Sequence, residues 1–287
     1  MKPLTSPFIL AADAAIDLQM HTIFSDGTWT PEALLDYLVR EQFGLAAITD
    51  HDRTDTAVTL QQLAAERHFP LLAAVEMSTS WNGELTDVLC YGFDPEENAL
   101  QELAQSVARR QMENTRTVCE NLQKSGVVFP DQTELDAVQA KPSAQQIHSL
   151  VALLKKLGYG RGEPSVGKMV TDAGFFWVTS DLADVCAAAH RSDAVCLIAH
   201  PGRGDGFTCY DVALLDELRG QIPIDGFEVY YPAHTPEQIA MYREYAQTHH
   251  LLTSSGSDSH GPEQRLPIKY RAELSRNLLE RLSVQVK

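Results

Sequence analysis

Five of the ten histidines fall just after a short apolar run or in the turn that follows one: His21, His51, His200, His234 and His260. Four of these strings carry further polar groups. They are Met20-His21-Thr22-Ile23-Phe24-Ser25-Asp26-Gly27, Thr49-Asp50-His51-Asp52, Ala199-His200-Pro201-Gly202-Arg203 and Gly256-Ser257-Asp258-Ser259-His260-Gly261. Glu76 follows the run Leu71–Val75, and Asp87 precedes the run that begins at Val88. A single histidine after a strand reads as a hydrogen-bonded structural residue. Imidazoles and carboxylates recurring together at separate strand ends read as mixed nitrogen and oxygen ligands for divalent metals. His68, His148, His190, His249 and His250 lie in helical or surface segments without carboxylate partners and read as non-ligands.

The elements that must position these groups alternate. Leu45–Ile48, Leu71–Val75, Val88–Tyr91, Val195–Ala199, Phe227–Tyr231 and Leu251–Thr253 read as buried strands. Thr30-Pro31 starts a helix with the stripe Leu34, Leu35, Leu38 and Val39, closed at Gly44, and Thr235-Pro236 repeats that start. Strands alternating with helices predict an α/β fold, either a parallel sheet or a β/α barrel. In a barrel the C-terminal strand ends share one rim, which gathers the strings. From Ala99 to Ala189 helical periodicity takes over, as in Ile147, Leu150, Val151, Leu154 and Leu157 after Ser143. The expected organisation is one α/β domain of residues 1–98 plus 190–287, interrupted by a helical insertion of residues 99–189.

At 287 residues, 44% apolar and 22% charged, the chain can bury a sizeable core and is neither disordered nor fibrous. Its formal net charge of −16 excludes a non-specific nucleic-acid coating protein. No run reaches the roughly 18 apolar residues of a membrane helix. The segment with Lys2 and Phe8–Ala12 is cut by Asp13 and Asp17, unlike a signal peptide. The five scattered cysteines, with no Cys-x-x-Cys, fit reduced thiols and a cytoplasmic location.

The strings resemble the PHP family of polymerases and histidinol phosphatases. The family's opening Asp-Leu-His-x-His-(Ser/Thr)-x-x-Ser-Asp-Gly is similar to Asp17-Leu18-Gln19-Met20-His21-Thr22-Ile23-Phe24-Ser25-Asp26-Gly27. Ala47-Ile48-Thr49-Asp50-His51-Asp52, Val75-Glu76-Met77-Ser78, His200-Pro201-Gly202-Arg203, Glu228-Val229-Tyr230-Tyr231 and Gly256-Ser257-Asp258-Ser259-His260 follow in the family's order. The resemblance implies a distorted seven-stranded β/α barrel and a stand-alone phosphoesterase of the subgroup with a helical insertion. It also implies two or three divalent ions, Mn, Zn or Fe with Mg as an option. Carried over by position, the ligands are His21, Asp26, His51, Glu76, His200, Asp258 and His260, with Glu76 as a bridge.

Three positions depart from the family. Gln19 stands where the first motif has His, Asp87 where the fourth strand opens with His, and Ser165 in Glu163-Pro164-Ser165 where related inserts read Arg-Pro-His. Gln is a weak neutral ligand and Asp a good one for hard cations, so Gln19 and Asp87 stay in the candidate ligand set.

Bound ions of this kind acidify a water and offset phosphoryl charge. Asp26, His51 and His234 are the candidate catalytic groups, His234 either as the acid that protonates the leaving alkoxide or as a substrate contact. Arg203 and Arg116 are the candidate phosphate contacts. The expected substrate is a small phosphomonoester, a nucleotide above all. The alternatives are 5′-end exonuclease action on short RNA and a non-catalytic metal- or nucleotide-binding protein. The basic pairs Arg109-Arg110 and Lys155-Lys156, near Arg161, read as solvated helix faces, so long nucleic acid is not an expected partner.

Overall fold

The computed structural model describes residues 8–287; Lys2 lies outside them. The chain folds as two compact units, one running to Ala104 and from Thr179 to Lys287, the other Gln105–Val178.

The first unit is a mixed α/β fold. Its largest sheet has five strands in the order Leu252–Ser255, Gly226–Tyr230, Val195–Ile198, Val88–Tyr91, Ala74–Met77. The first three are parallel, and Val88–Tyr91 runs antiparallel to both its neighbours. A four-stranded sheet orders Tyr270–Arg271, Ala15–Asp17, Leu45–Ala47 and Leu71–Leu72. Among the described residues neither ladder closes on itself. The sheets adjoin at two places. Ala73 alone separates Leu71–Leu72 from Ala74–Met77. On the other side the Leu18 amide donates to the Ser255 carbonyl at 3.0 Å, and Met20 bridges Ser259 in parallel.

Strand alternation sorts the core. Val75, Met77, Val88, Cys90, Cys196, Ile198, Phe227 and Val229 pack with Leu182, Val185, Leu215 and Tyr242 of the covering helices. Their strand neighbours Ala74, Leu89, Tyr91, Val195 and Leu197 turn the other way and join Ile16, Leu18, Leu45 and Leu72 from the other sheet. Glu76 and Asp87 share the parity of this second set, so the strands aim two carboxylates into the space between the sheets.

The helix starts follow their sequence signals. Thr30 accepts a hydrogen bond from the Ala33 amide ahead of helix Pro31–Arg40. Thr235 and Gln238 form a capping box ahead of Pro236–His249. The first helix does not run to Gly44: it stops at Arg40, and Gln42 takes the left-handed turn at φ 61°.

The second unit contains helices Gln132–Gln139, Ser143–Lys156 and Val166–Asp172, with most of Leu100–Lys124. Val118, Leu122, Leu135, Leu150, Leu154 and Val170 form its own core. No helix of the described residues is long and apolar enough to cross a membrane.

Candidate metal centre

Parallel strands deliver their C-terminal ends to one rim, and the antiparallel strand delivers its start. Gln19 and His21 follow Ala15–Asp17, His51 follows Leu45–Ala47, and Glu76 closes Ala74–Met77. His200 follows Val195–Ile198, Asp258 and His260 follow Leu252–Ser255, and Asp87 precedes Val88–Tyr91. His200 (φ 30°) and Asp258 (φ 54°) take left-handed backbone conformations, a strain found at functional positions.

Glu76, fully buried, is the hub. Its Oε1 lies 3.1 Å from His200 Nε2, and its Oε2 lies 3.0 Å from His21 Nε2 and 3.9 Å from His51 Nε2. His21 Nε2 is also 3.2 Å from Asp258 Oδ1. Asp26 Oδ2 is 3.2 Å from His260 Nε2 and 3.9 Å from His51 Nε2. The His21 ring stacks between those of His260 and His51, with centroids 4.2 and 4.8 Å away.

The donors fall into three overlapping groups whose ligand atoms lie within 4.8 Å of one another: His21, Asp26, His51 and His260; His21, Glu76 and Asp258; His51, Glu76 and Asp87. Several of these atoms lack ordinary partners. Both His21 nitrogens and His51 Nδ1 are buried without a hydrogen bond of good geometry. Buried polar atoms are normally satisfied, so this convergence of unsatisfied imidazole nitrogen and carboxylate fits divalent cations.

The electrostatics carry the same mark. Burial disfavours charge on Glu76 and Asp26, yet the facing histidines outweigh it and hold both carboxyls below the usual range. Burial likewise pulls His21 and His260 down, and Asp258, Glu76 and Asp26 raise them above an ordinary histidine. Asp87 is pushed well up by burial and by the Glu76 and Asp52 charges. Protons thus balance the excess of carboxylates, a task cations perform when bound.

Gln19 makes a contact its residue type does not reveal. Its Nε2 donates to Glu76 Oε2 at 2.9 Å, while its Oε1 is buried without a hydrogen bond. Asp50, readable from sequence only as a turn or capping residue, accepts from the Thr22 amide, the Thr22 hydroxyl and the Ser25 hydroxyl, each at 2.7 Å. It thereby holds the loop that carries His21 and Asp26. Glu228 was legible only as part of its string. It is buried, accepts from the His200 amide at 3.2 Å, and keeps Oε1 unpartnered; burial and the Asp258 and Glu76 charges raise its pKa well above the ordinary value.

Three other candidates sit differently. His234 spends both ring nitrogens on backbone groups: its Nε2 accepts from the Gly202 amide and its Nδ1 donates to the Val229 carbonyl, both at 3.0 Å. Neither nitrogen is left for a proton transfer. Arg203 forks onto Asp205 at 2.6 and 3.1 Å and lies over the Phe207 ring. Arg116 belongs to the second unit, where it lines a cleft of about 220 Å³ with Arg109, Met112, Glu113, Gln139 and Gln146. Ser165, in the same unit, caps helix Val166–Asp172. Among the histidines read as non-ligands, His190 does have a carboxylate, Asp225, at 2.9 Å.

Known proteins of several kinds are similar to the chain. A 3′,5′-nucleoside bisphosphate phosphatase of Chromobacterium violaceum is 29% identical over 255 residues, 87% of this chain and 88% of the relative. The 5′-3′ exoribonuclease Rnm of Salmonella typhimurium is 29% identical over 256 residues, 86% of this chain and 85% of the relative. A solved structure from Bifidobacterium adolescentis, assigned as a metal-dependent phosphoesterase, matches with a TM-score of 0.74 at 22% identity. That match covers 95% of this chain and 98% of the other, and it speaks for the fold. No family model matches the chain.

Proposed function

From a chain whose homologues are PHP-type metal-dependent phosphoesterases, we propose a hydrolase that removes phosphate from small phosphomonoesters, nucleotides first among them. The observation that carries this reading is Glu76, whose two oxygens each meet an imidazole, His200 on one side and His21 on the other. Such a carboxylate can serve two cations at once. Divalent ions bound there supply the Lewis acidity that acidifies a water and offsets the charge on the transferring phosphoryl group.

The residues would divide the work as follows. His21, His51, His200, His260, Asp26, Glu76, Asp258 and Asp87 hold the ions, two or three of them, with Mn, Zn or Fe suited to the mixed donors. Gln19 orients Glu76 through its amide and offers Oε1 as a weak ligand. Arg203 is the candidate phosphate fork, which a substrate would win from Asp205. The C. violaceum relative's name makes 3′,5′-bisphosphonucleosides the first substrates to try, and the exoribonuclease relative makes short RNA the second.

The scaffold reading goes with the chemistry. We take the two sheets, with Leu71–Met77 counted as one strand and Tyr270–Arg271 left outside, as opposite walls of one distorted seven-stranded barrel. The near-continuous segment Leu71–Met77 and the Leu18–Ser255 hydrogen bond support it, as does the apolar cluster drawing on both sheets.

The deciding experiment incubates Mn-, Zn-, Fe- or Mg-reconstituted protein with bisphosphonucleosides, mononucleotides, sugar phosphates and short RNAs. Phosphate or nucleotide release above a His51→Ala control is the expected result. No release with any of the metals would leave a non-catalytic binding protein.

A further inference from the structure

The two units differ in charge. Residues 105–178 carry nine Lys and Arg against seven Asp and Glu, while the rest of the chain carries 14 against 32. The unit with the basic excess also holds Phe176, 61% exposed, and Trp177, 57% exposed, the only exposed Phe and Trp among the described residues.

These rings are presented by a braced segment. Phe175 meets Trp177 edge-on at 5.1 Å, and His148 lies against it at 6.3 Å. The backbone is tied to helix Leu100–Lys124 by two asparagines. Asn114 donates to the Gly174 carbonyl at 3.0 Å and accepts from the Phe176 amide at 3.4 Å, and Asn121 donates to the Ala173 carbonyl at 3.0 Å. Cations border the patch by helical spacing. Arg110 lies one turn before Asn114, and Lys155 two turns beyond His148 on the same face of Ser143–Lys156. The Arg116 cleft opens on another flank of the helix, so this patch is a separate feature.

Exposed aromatics with cations at their margins suit bases that stack and phosphates that pair, and stacking tolerates any base. We propose that the insertion unit carries a stacking platform, centred on Trp177 and Phe176 and flanked by His148, Arg110 and Lys155, for the bases of a short single-stranded oligonucleotide. The choice of nucleic acid as occupant rests on the phosphoesterase reading. An uncharged protein face or a zwitterionic lipid surface would want the apolar rings without the reversal of charge.

Trp177 can report on its own occupancy, because Trp29 and Trp81 are buried. The full-length protein is titrated in chelator, so that nothing turns over, with a 5′-phosphorylated penta-adenylate while tryptophan emission is followed. The expected result is quenching that saturates and weakens with added salt. Inorganic phosphate and ribose 5-phosphate should produce none. Binding of the same RNA with a 3′ fluorescent label, read by anisotropy, should weaken about five- to one-hundred-fold in Trp177→Ala. Phe176→Ala should show a smaller loss in the same direction, and circular dichroism should confirm that both variants are folded. No quenching, equal quenching by ribose 5-phosphate, or a response to phosphatidylcholine vesicles in place of RNA would each overturn the platform. Hydrolysis of the whole substrate panel with Mn, Zn, Fe and Mg is measured on the same preparation. Hydrolysis without quenching overturns the platform alone, and quenching without hydrolysis overturns the phosphoesterase reading alone.

Discussion

His200 and His234 each lie just beyond a buried strand, and in sequence they look alike. Their surroundings separate them. His200 turns Nε2 to a buried carboxylate 3.1 Å away, inside a cluster where His21 and His51 keep nitrogens without hydrogen bonds. His234 spends both nitrogens on backbone groups and is packed against Tyr231 and Tyr242. We propose that a strand-end histidine serves as a ligand where its loop aims ring nitrogen at buried carboxylate. Where the imidazole ties backbone groups instead, as His234 does, we propose that the same residue type is structural.

The sharpest test of this contrast removes the shared carboxylate. Glu76→Ala should strip metal from two of the three donor groups and reduce phosphate release by more than about 100-fold, beyond the 10- to 100-fold typical of partners outside the ligand set. Elemental analysis and phosphate release measure it. Full metal content in the variant would move the centre away from Glu76.

Next in size is metal removal. Ions that bind only the folded chain at 100 times their dissociation constant add about 2.7 kcal/mol. At roughly 2–4 °C per kcal/mol for a chain of this order, chelation should lower the melting temperature by about 5–10 °C. An unchanged scan would deny the cluster its cations.

The metal-free protein should also respond to pH. His21 and His260 are raised, so the stability they add is complete below the unfolded value of about 6.5 and is lost as pH rises through their folded values. Asp17, pushed up to about 7 by burial against the hydrogen bonds it accepts, acts in the same direction over a lower window, between its unfolded value and about 7. Metal-free protein should therefore melt at progressively lower temperature from pH 6 to 8.5. With metal bound, the imidazoles are neutral ligands and the slope should flatten. A rise in melting temperature with pH in the metal-free form would contradict the geometry around His21.

Asp50 tests the positioning half of the argument. Asp50→Ala releases three contacts that hold Thr22 and Ser25, and it should weaken metal affinity by about 10- to 100-fold without removing a ligand. Calorimetric titration with Mn measures it.

What the sequence made legible follows from this physics. Val88–Tyr91 could be read to the residue because a buried strand is a continuous apolar run between polar ends. The strings that bring imidazole and carboxylate together could be read because a mixed-donor site would need those residue types at strand ends. Long-range pairing could not. Nothing near Gln19 says that its amide reaches Glu76, 57 residues away, and nothing near Asp50 says that it braces a loop 28 residues earlier. The short pairs Phe8–Leu10 with Val284–Val286 and Ala15–Asp17 with Tyr270–Arg271 are also set by tertiary contact, being too short to carry a periodic signal. Gly44 failed as a helix stop for the opposite reason. A glycine near a helix end reads as a cap, but here Gln42 makes the turn, and a Cβ at Gly44 would come within 3.1 Å of Leu10.

The smallest chemical effect is expected at His234, and its smallness is the point. His234→Ala leaves the Gly202 amide and the Val229 carbonyl without partners, which should cost about 1–3 kcal/mol of stability. Metal content and the pH dependence of kcat should stay as in the unaltered protein. His234→Gln can still donate and accept, and should recover part of the stability. If the alanine variant instead lost the limb of the pH–rate profile that reports a general acid, the imidazole would have to leave both backbone partners and swing toward the leaving group. The contrast between His200 and His234 would then be one of conformational state and not of local fold. A stability loss with an unchanged profile places the difference in the loop that each histidine serves.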